Sequence, residues 1–203
     1  MAAPGRPAIV GSGNVGSALA RLCARAGVEV DITNTRGPRS LRELAASIGA
    51  AVHPVALDEA LARELVLMAV PFGAVAAVGA RRADWTGTIV VDTTNAYYTP
   101  GADEILRGRL SSAYVAEHLP GASLVKAFNQ LPADTLQADP DPADGRRVVF
   151  LATDVPAAGD VVAGLVSRLG LAPVSLGRLD EGGRLIQAPG PLVLRHLVEH
   201  PLR

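Results

Sequence analysis

The sequence predicts an α/β fold built on a doubly wound, mainly parallel sheet of about eight strands, with a short helical segment at the C-terminal end. Two observations carry that expectation. Short apolar runs alternate with longer segments at helical spacing, the pattern of strands joined by crossover helices. A Gly-x-Gly-x-x-Gly sequence stands between the first apolar run and the first helical segment, which is where a sheet of this kind meets a phosphate. With 203 residues, 49% hydrophobic and 19% charged, the chain has material for one ordinary domain with a large core. It divides into a nucleotide-binding domain over 1–178 and a segment over 179–203 that packs on that domain or on a second subunit.

Taken in order, strands are expected at 8–11, 28–32, 51–54, 65–70, 88–92, 124–128, 148–152 and 173–176, and helices at 15–26, 39–48, 57–64, 73–80, 112–118 and 157–169. Val66-Leu67-Met68-Ala69-Val70 and Ile89-Val90-Val91 are continuously apolar, so these strands are covered on both faces and belong mid-sheet. The stretch 93–109, with Tyr97, Tyr98, Pro100 and Gly101, reads as one extended loop, and loops of that length are commonly functional. Beyond Leu176 the pattern turns irregular until the apolar stretch 191–197. That stretch reads as a terminal helix, buried either within its own chain or in a homodimer, the commonest closed assembly.

Composition excludes several classes. A net charge of −1 and 3% aromatic residues argue against a nucleic-acid surface. No run of 18 or more apolar residues occurs, so no membrane span is expected. The opening Met1 to Pro7 lacks an apolar leader, and a cytoplasmic location follows as the expectation. The single Cys23 has no internal partner for a disulfide.

Gly11-Ser12-Gly13-Asn14-Val15-Gly16 follows the first strand and opens a helix with Leu19, Leu22 and Cys23 on one face. This is the dinucleotide-binding arrangement of a Rossmann-type sheet. The first glycine permits the tight turn and the second lets the backbone approach a pyrophosphate. The third lets helix and strand close up, while free N–H groups of the helix start face the anion.

Asp31 stands about 20 residues beyond Gly11, the separation of an acidic residue that takes ribose hydroxyls. It precedes the strand's carboxyl end, however, and reads better as a residue on the strand's polar side or as a partner for a nearby arginine. The segment leaving the sheet there holds Asn34, Thr35, Arg36, Arg39 and Ser40. Hydroxyls and a guanidinium suit a 2′-phosphate, so the expected cofactor is NADP(H). Arg39 and Ser40 have a second reading, as the start and cap of the next helix.

Five segments then fall into a familiar order. Gly11-Ser12-Gly13-Asn14-Val15-Gly16, Asn34-Thr35-Arg36, Ala69-Val70-Pro71-Phe72, Val91-Asp92-Thr93-Thr94-Asn95 and Val125-Lys126-Ala127-Phe128-Asn129 resemble the NADPH-dependent reductases of the deazaflavin coenzyme F420. The oxidoreductase domain of membrane ferric reductases is similar. The resemblance implies that Ser12, Thr35 and Arg36 bind the 2′-phosphate and that the backbone of 12–15 cradles the pyrophosphate. It implies further that the segment from Ala69 through Val70 and Pro71 lies against ribose, and that the stretch from Ala127 to Leu131 lies beneath nicotinamide and acceptor. Asn129 stands where such reductases can carry a histidine.

Hydride transfer to a flat small-molecule acceptor, a deazaflavin or flavin, needs stacked rings and no obligatory acid or base. Asn95, Asn129 and Leu131 are the candidate positioning residues; the two amides are suited to holding the nicotinamide carboxamide or to polarising an acceptor carbonyl, and turn or capping roles stay open for both. Lys126 reads as a lysine reaching from the sheet to solvent or to a phosphate. His196 and His200 are spaced for one helix face, where solvation fits better than a metal. Two other readings stand beside hydride transfer to a flavin-like acceptor: a dehydrogenase of a small hydroxyacid or imine, and an NADPH-binding sensor without turnover.

Overall fold

The structure, a computed structural model, describes residues 5–138 and 145–200; residues 1–4 and 139–144 of the expected 1–178 domain and 201–203 of the expected terminal segment lie outside the described residues. The chain runs β1 (Ala8–Val10), α1 (Asn14–Arg25), β2 (Val30–Thr33), α2 (Arg42–Ile48), β3 (Val52–Pro54), α3 (Leu57–Leu61), β4 (Leu65–Met68), α4 (Val75–Gly79), β5 (Ile89–Asp92) and α5 (Ala102–Leu106). It continues with α6 (Ser111–Glu117), β6 (Ser123–Ala127), α7 (Ala133–Gln137), β7 (Arg146–Thr153), α8 (Pro156–Arg168), β8 (Ala172–Ser175), α9 (Gly182–Ile186) and β9 (Val198–Glu199). The strand order is β3-β2-β1-β4-β5-β6-β7-β8, with β9 paired to β7. From β3 through β6 every pairing is parallel, whereas β7 runs antiparallel to β6. The expected Rossmann-type sheet is present, and β4 and β5 are central as their apolar character requires.

Each strand distributes its side chains between two layers, because successive residues of a strand point to opposite faces. Ile9, Leu67, Val91, Val125 and Val149 meet Leu19, Leu22, Val162 and Val166 from α1 and α8 on one face. Val10, Val66, Met68, Val90 and Leu124 meet Leu61, Val75, Val115 and Ile186 from α3, α4, α6 and α9 on the other. Thus a run that reads as uniformly apolar in sequence serves two cores at once. The order in which strands are laid down reverses between the parallel neighbours β1 and β4, and their carboxyl ends form the crevice where open α/β sheets bind ligands.

Several expected elements are shorter or divided. The helix expected at 39–48 begins with a 3-10 turn at Pro38–Leu41, and that expected at 73–80 with one at Phe72–Ala74. The supposed open loop 93–109 contains a 3-10 turn, Ala96–Tyr98, and the helix α5.

The terminal segment departs most from expectation. Residues 191–194 form turns rather than a helix. Pro189 and Pro191 supply no N–H for a helical ladder, and Leu194 adopts a positive φ of 61° while its N–H donates to Gln130 O at 2.7 Å. His196 and His200 therefore share no helix face. His196 Nε2 instead accepts a hydrogen bond from Arg147 Nε at 3.1 Å. Arg147 is buried, and desolvation holds its guanidinium below the ordinary arginine range, with the nearby Arg25 charge adding to the effect. The helix of this region is α9, hidden behind its Gly182-Gly183 start. A Cβ on Gly182 would lie 2.2 Å from Leu176 O, so that glycine serves close packing and not a turn.

Candidate functional site

At the end of β1, Gly11 has φ +116°, and a Cβ there would stand 2.1 Å from Ala69 O. A Cβ on Gly16 would stand 2.0 Å from Gly11 O. These two glycines let β1, α1 and the end of β4 close on one another. Gly13 differs, since nothing lies within 4 Å of the position its Cβ would take. It is the N-cap of the twelve-residue α1, makes no side-chain cap, and no acidic residue occupies the first turn. Unpaired amides and the positive end of the helix thus face open space, the arrangement that receives a pyrophosphate.

Beside this cradle the loop after β2 is tied by one amide. Asn34 Nδ2 donates to Ser12 Oγ at 3.0 Å, and Asn34 Oδ1 accepts from Arg36 N at 2.9 Å. Ser40 Oγ lies 3.1 Å from the same Oδ1 and 2.7 Å from Gly37 O, so its hydroxyl is engaged in shaping the loop. Thr35 and Arg36 are exposed, and among the described residues nothing pairs with the Arg36 guanidinium. A cavity of about 520 Å³ opens here between Asn34, Thr35, Pro38, Leu57, Ala77 and Arg81. Asp31 is fully buried two residues before the end of β2, accepting from Arg63 Nε at 2.6 Å and Arg6 Nη1 at 3.3 Å. Its carboxylate is committed to arginines, so the ribose contact set aside from the sequence has no free acid to make it.

In the opposite direction the edge opens into a cleft of about 470 Å³. Gly13, Asn14 and Val15 line it at one end, Ala69, Val70, Pro71 and Phe72 along its floor, and Asn95, Tyr98, Asn129, Leu131, Val193 and Leu194 at the other. Beneath the far end lies a closed polar network. Asp92 and Lys126 face each other across β5 and β6, with Lys126 Nζ 2.9 Å from Asp92 Oδ2 and 2.5 Å from Thr94 O. Asp92 Oδ1 accepts from both the N–H and the Oγ1 of Thr94 at 2.9 and 2.7 Å. At 1% exposure Lys126 reaches neither solvent nor a phosphate, which corrects the expectation from sequence. A cationic end buried between two strands can only be accommodated with its charge and protons satisfied.

That network fixes the turn leading to Asn95, and Asn95 pairs with Asn129. Asn95 Nδ2 donates to Asn129 O at 2.8 Å, while Asn129 Nδ2 donates to Asn95 Oδ1 at 3.1 Å and to Ile186 O at 2.6 Å. The residue between β6 and Asn129 is Phe128, buried and held at φ +61°. Such a conformation is costly for a bulky residue and is characteristic of sites that must aim a side chain. Asn129 Oδ1 has no hydrogen-bond partner.

The structure therefore brings Gly13, Asn14, Val15, Ala69, Val70, Pro71, Asn95, Asn129 and Leu131 to one cleft, and Asn34 and Thr35 to the adjoining cavity. Gly11, Ser12, Arg36 and Ser40 border these spaces by their backbone or loop contacts. Ala127 is wholly buried in β6 and does not line the cleft. Sequence reasoning missed Asp92, the role of Lys126, the carbonyl of Ile186 and the lining by Val193 and Leu194. One signal was available for the first two: a lone lysine and an aspartate inside apolar strands, which implies that they neutralise each other.

Residues 6–96 match the family model described as NADP oxidoreductase, coenzyme F420-dependent. A hypothetical protein from Sinorhizobium meliloti is 44% identical, with a TM-score of 0.91 and 96% of each chain covered. A structure from Arthrobacter sp. fb24 assigned as an F420-dependent NADP reductase is 27% identical, with a TM-score of 0.70 and 86% of each chain covered. The metalloreductase STEAP3 of Rattus norvegicus is 30% identical over 173 residues, which is 84% of this chain, and the chain spans 33% of that relative's length. Among the described residues no helix is long and apolar enough to cross a membrane. The glycine turn, the committed Asp31 and the exposed Arg36 stand together at one sheet edge, and it is over residues 6–96, which hold them, that the chain matches the family of coenzyme F420-dependent NADP oxidoreductases.

Proposed function

We propose that this protein transfers a hydride between NADP(H) and a small, flat acceptor of the deazaflavin or flavin class. The observation that carries the reading is the continuity of one edge: donors for a 2′-phosphate at the end of β2, bare amides at α1, and a cleft ending at two fixed amides beyond β5 and β6. The names of the Arthrobacter structure and of the rat metalloreductase support a redox acceptor.

NADPH, when bound, supplies the hydride. Ser12, Thr35 and Arg36 would hold its 2′-phosphate, the amides of 13–15 its pyrophosphate, and Ala69, Val70 and Pro71 its second ribose. Asn95 and Asn129 would orient the reacting ring, and Leu131 with Val193 and Leu194 would keep water from it. Positioning of this kind lowers a barrier by up to roughly 7–11 kcal/mol without an acid or base. Tyr98, 69% exposed at the cleft mouth, offers a flat face to an incoming ring.

The test is oxidation of NADPH, followed by absorbance, with oxidised deazaflavin, FMN and ferric chelates offered in turn. Turnover with one of the two flat acceptors is expected. Tight NADPH binding with none reduced overturns the enzymatic reading and leaves a sensor of NADPH. We further propose a cytoplasmic homodimer formed through the exposed apolar residues Leu194, Leu197 and Val198; light scattering at a mass near 20.9 kDa overturns the dimer.

A further inference from the structure

We propose that Asn129 is an acceptor-only contact, whose side-chain oxygen receives an N–H of the nicotinamide carboxamide and thereby sets the rotation of the ring. The inference rests on the NADP(H) reading above and goes further by assigning one atom to one ligand group.

A primary amide has two N–H donors and one carbonyl acceptor. In Asn129 both donors are spent, on Asn95 Oδ1 and on Ile186 O. These two acceptors also fix which end of the amide is nitrogen, since exchanging the ends would set oxygen against oxygen twice. Asn129 therefore has no proton left with which to polarise a carbonyl on an acceptor molecule. What it has left is Oδ1, buried and without a partner, on a residue that lines the cleft. A residue 4% exposed with an unmet acceptor carries a desolvation cost that a ligand donor removes.

The identity of that donor follows from position along the edge. Adenosine is directed to the end of β2 by the Arg36 loop, and pyrophosphate to Gly13 at α1. A dinucleotide spanning the crevice then delivers its other base beyond β5 and β6, where Asn95 and Asn129 stand. On the nicotinamide ring the carboxamide is the one group with N–H donors. Asn95 and Lys126 act one step back, as positioning residues. Asn95 holds Asn129 from two sides, and Lys126 with Asp92 holds the turn that presents Asn95. The carbonyl of Ile186 makes α9, in the terminal segment, a support of the cofactor site.

The test compares NADP⁺ with its 3-acetylpyridine analogue, in which a methyl group replaces the amide nitrogen and everything else is unchanged. By calorimetry the wild-type protein is expected to bind NADP⁺ about tenfold more tightly than the analogue, the worth of one buried hydrogen bond. Asn129→Ala is expected to bring the ratio close to one while leaving the affinity for adenosine 2′,5′-bisphosphate, which has no nicotinamide half, unchanged. Equal affinities in the wild type, or a tenfold ratio that survives Asn129→Ala, overturn the inference and leave the cofactor reading intact. Should Asn129→Ala fail to bind the bisphosphate, its loss of the Ile186 contact has disturbed the fold. Asn95→Ala then decides, because it keeps the Ile186 contact and frees Asn129 from the two hydrogen bonds that aim its Oδ1: a lowered ratio supports the inference and an unchanged one overturns it. A wild-type protein that binds neither NADP⁺ nor the bisphosphate overturns the cofactor reading as well.

Discussion

The two ends of the binding edge are built on opposite principles. At the end proposed for adenosine, donors are exposed, the loop is stapled by the single amide of Asn34, and the charge of Arg36 stands in solvent. At the end proposed for nicotinamide, a buried ion pair, two reciprocal asparagines and a positive-φ phenylalanine fix a few polar atoms within the protein interior. The first end can adapt to its ligand and contributes mainly charge. The second is set before the ligand arrives, which is what the orientation of a reacting ring requires. The difference shows how one site can separate affinity from geometry.

The sharpest way to break that contrast is Lys126→Met. It leaves Asp92 buried without its cation, and a stability loss of about 3–5 kcal/mol is expected in denaturant titrations. Adding Asp92→Asn should recover much of it. If Lys126→Met proves as stable as the wild type, the nicotinamide end is not held by the ion pair.

Gly11→Ala should follow, at about 3 kcal/mol, because its methyl group would meet Ala69 O in a backbone conformation with φ +116°. Unchanged melting together with unchanged NADPH affinity would show that the crevice between β1 and β4 has slack.

Arg36→Glu addresses the exposed end. The preference for NADPH over NADH is expected to fall by about tenfold or more, as a charge-assisted contact becomes repulsive, with melting almost unaffected. The contrast is sharpened by salt. Raising ionic strength should weaken NADPH binding through Arg36 and leave the ratio between NADP⁺ and its acetylpyridine analogue unchanged.

The smallest effect concerns Cys23, on the helix that carries the phosphate cradle. Burial pushes its thiol up from 9.0 to about 12, an effect only partly opposed by Arg168. In the folded protein the thiol stays protonated at neutral pH and resists disulfide reagents. Because the unfolded thiol ionises first, this group costs stability progressively as pH climbs from about 9 towards 12. Arg36→Glu should leave Cys23 protected, whereas Lys126→Met should hasten its labelling. Equal labelling of the two variants would deny that the ends differ in their coupling to the core.

Much of the glycine turn and of the loop after β2 was legible in the chain. Gly11, Gly13 and Gly16 are a local pattern, since strand, turn and helix follow one another between Ala8 and Arg25, and the donors after β2 belong to one continuous segment. The helix expected over 191–197 fails for a reason that spacing does not register. Apolar residues at helical intervals lie among prolines that give no amide, and Leu194 is drawn instead to Gln130 O. Lys126 reads as snorkelling because nothing local reveals that Asp92, thirty-four positions earlier, faces it across the sheet.

What the sequence determined alone was whatever depends on neighbours along the chain: the alternation of strands and helices, the glycine turn that opens α1 and the exposed donors of the loop after β2. Only the tertiary structure decided what Asn129 can offer. Its two protons are claimed by Asn95 and by the carbonyl of Ile186, fifty-seven residues away, and a hydrogen-bond inventory closes only when every partner is in place.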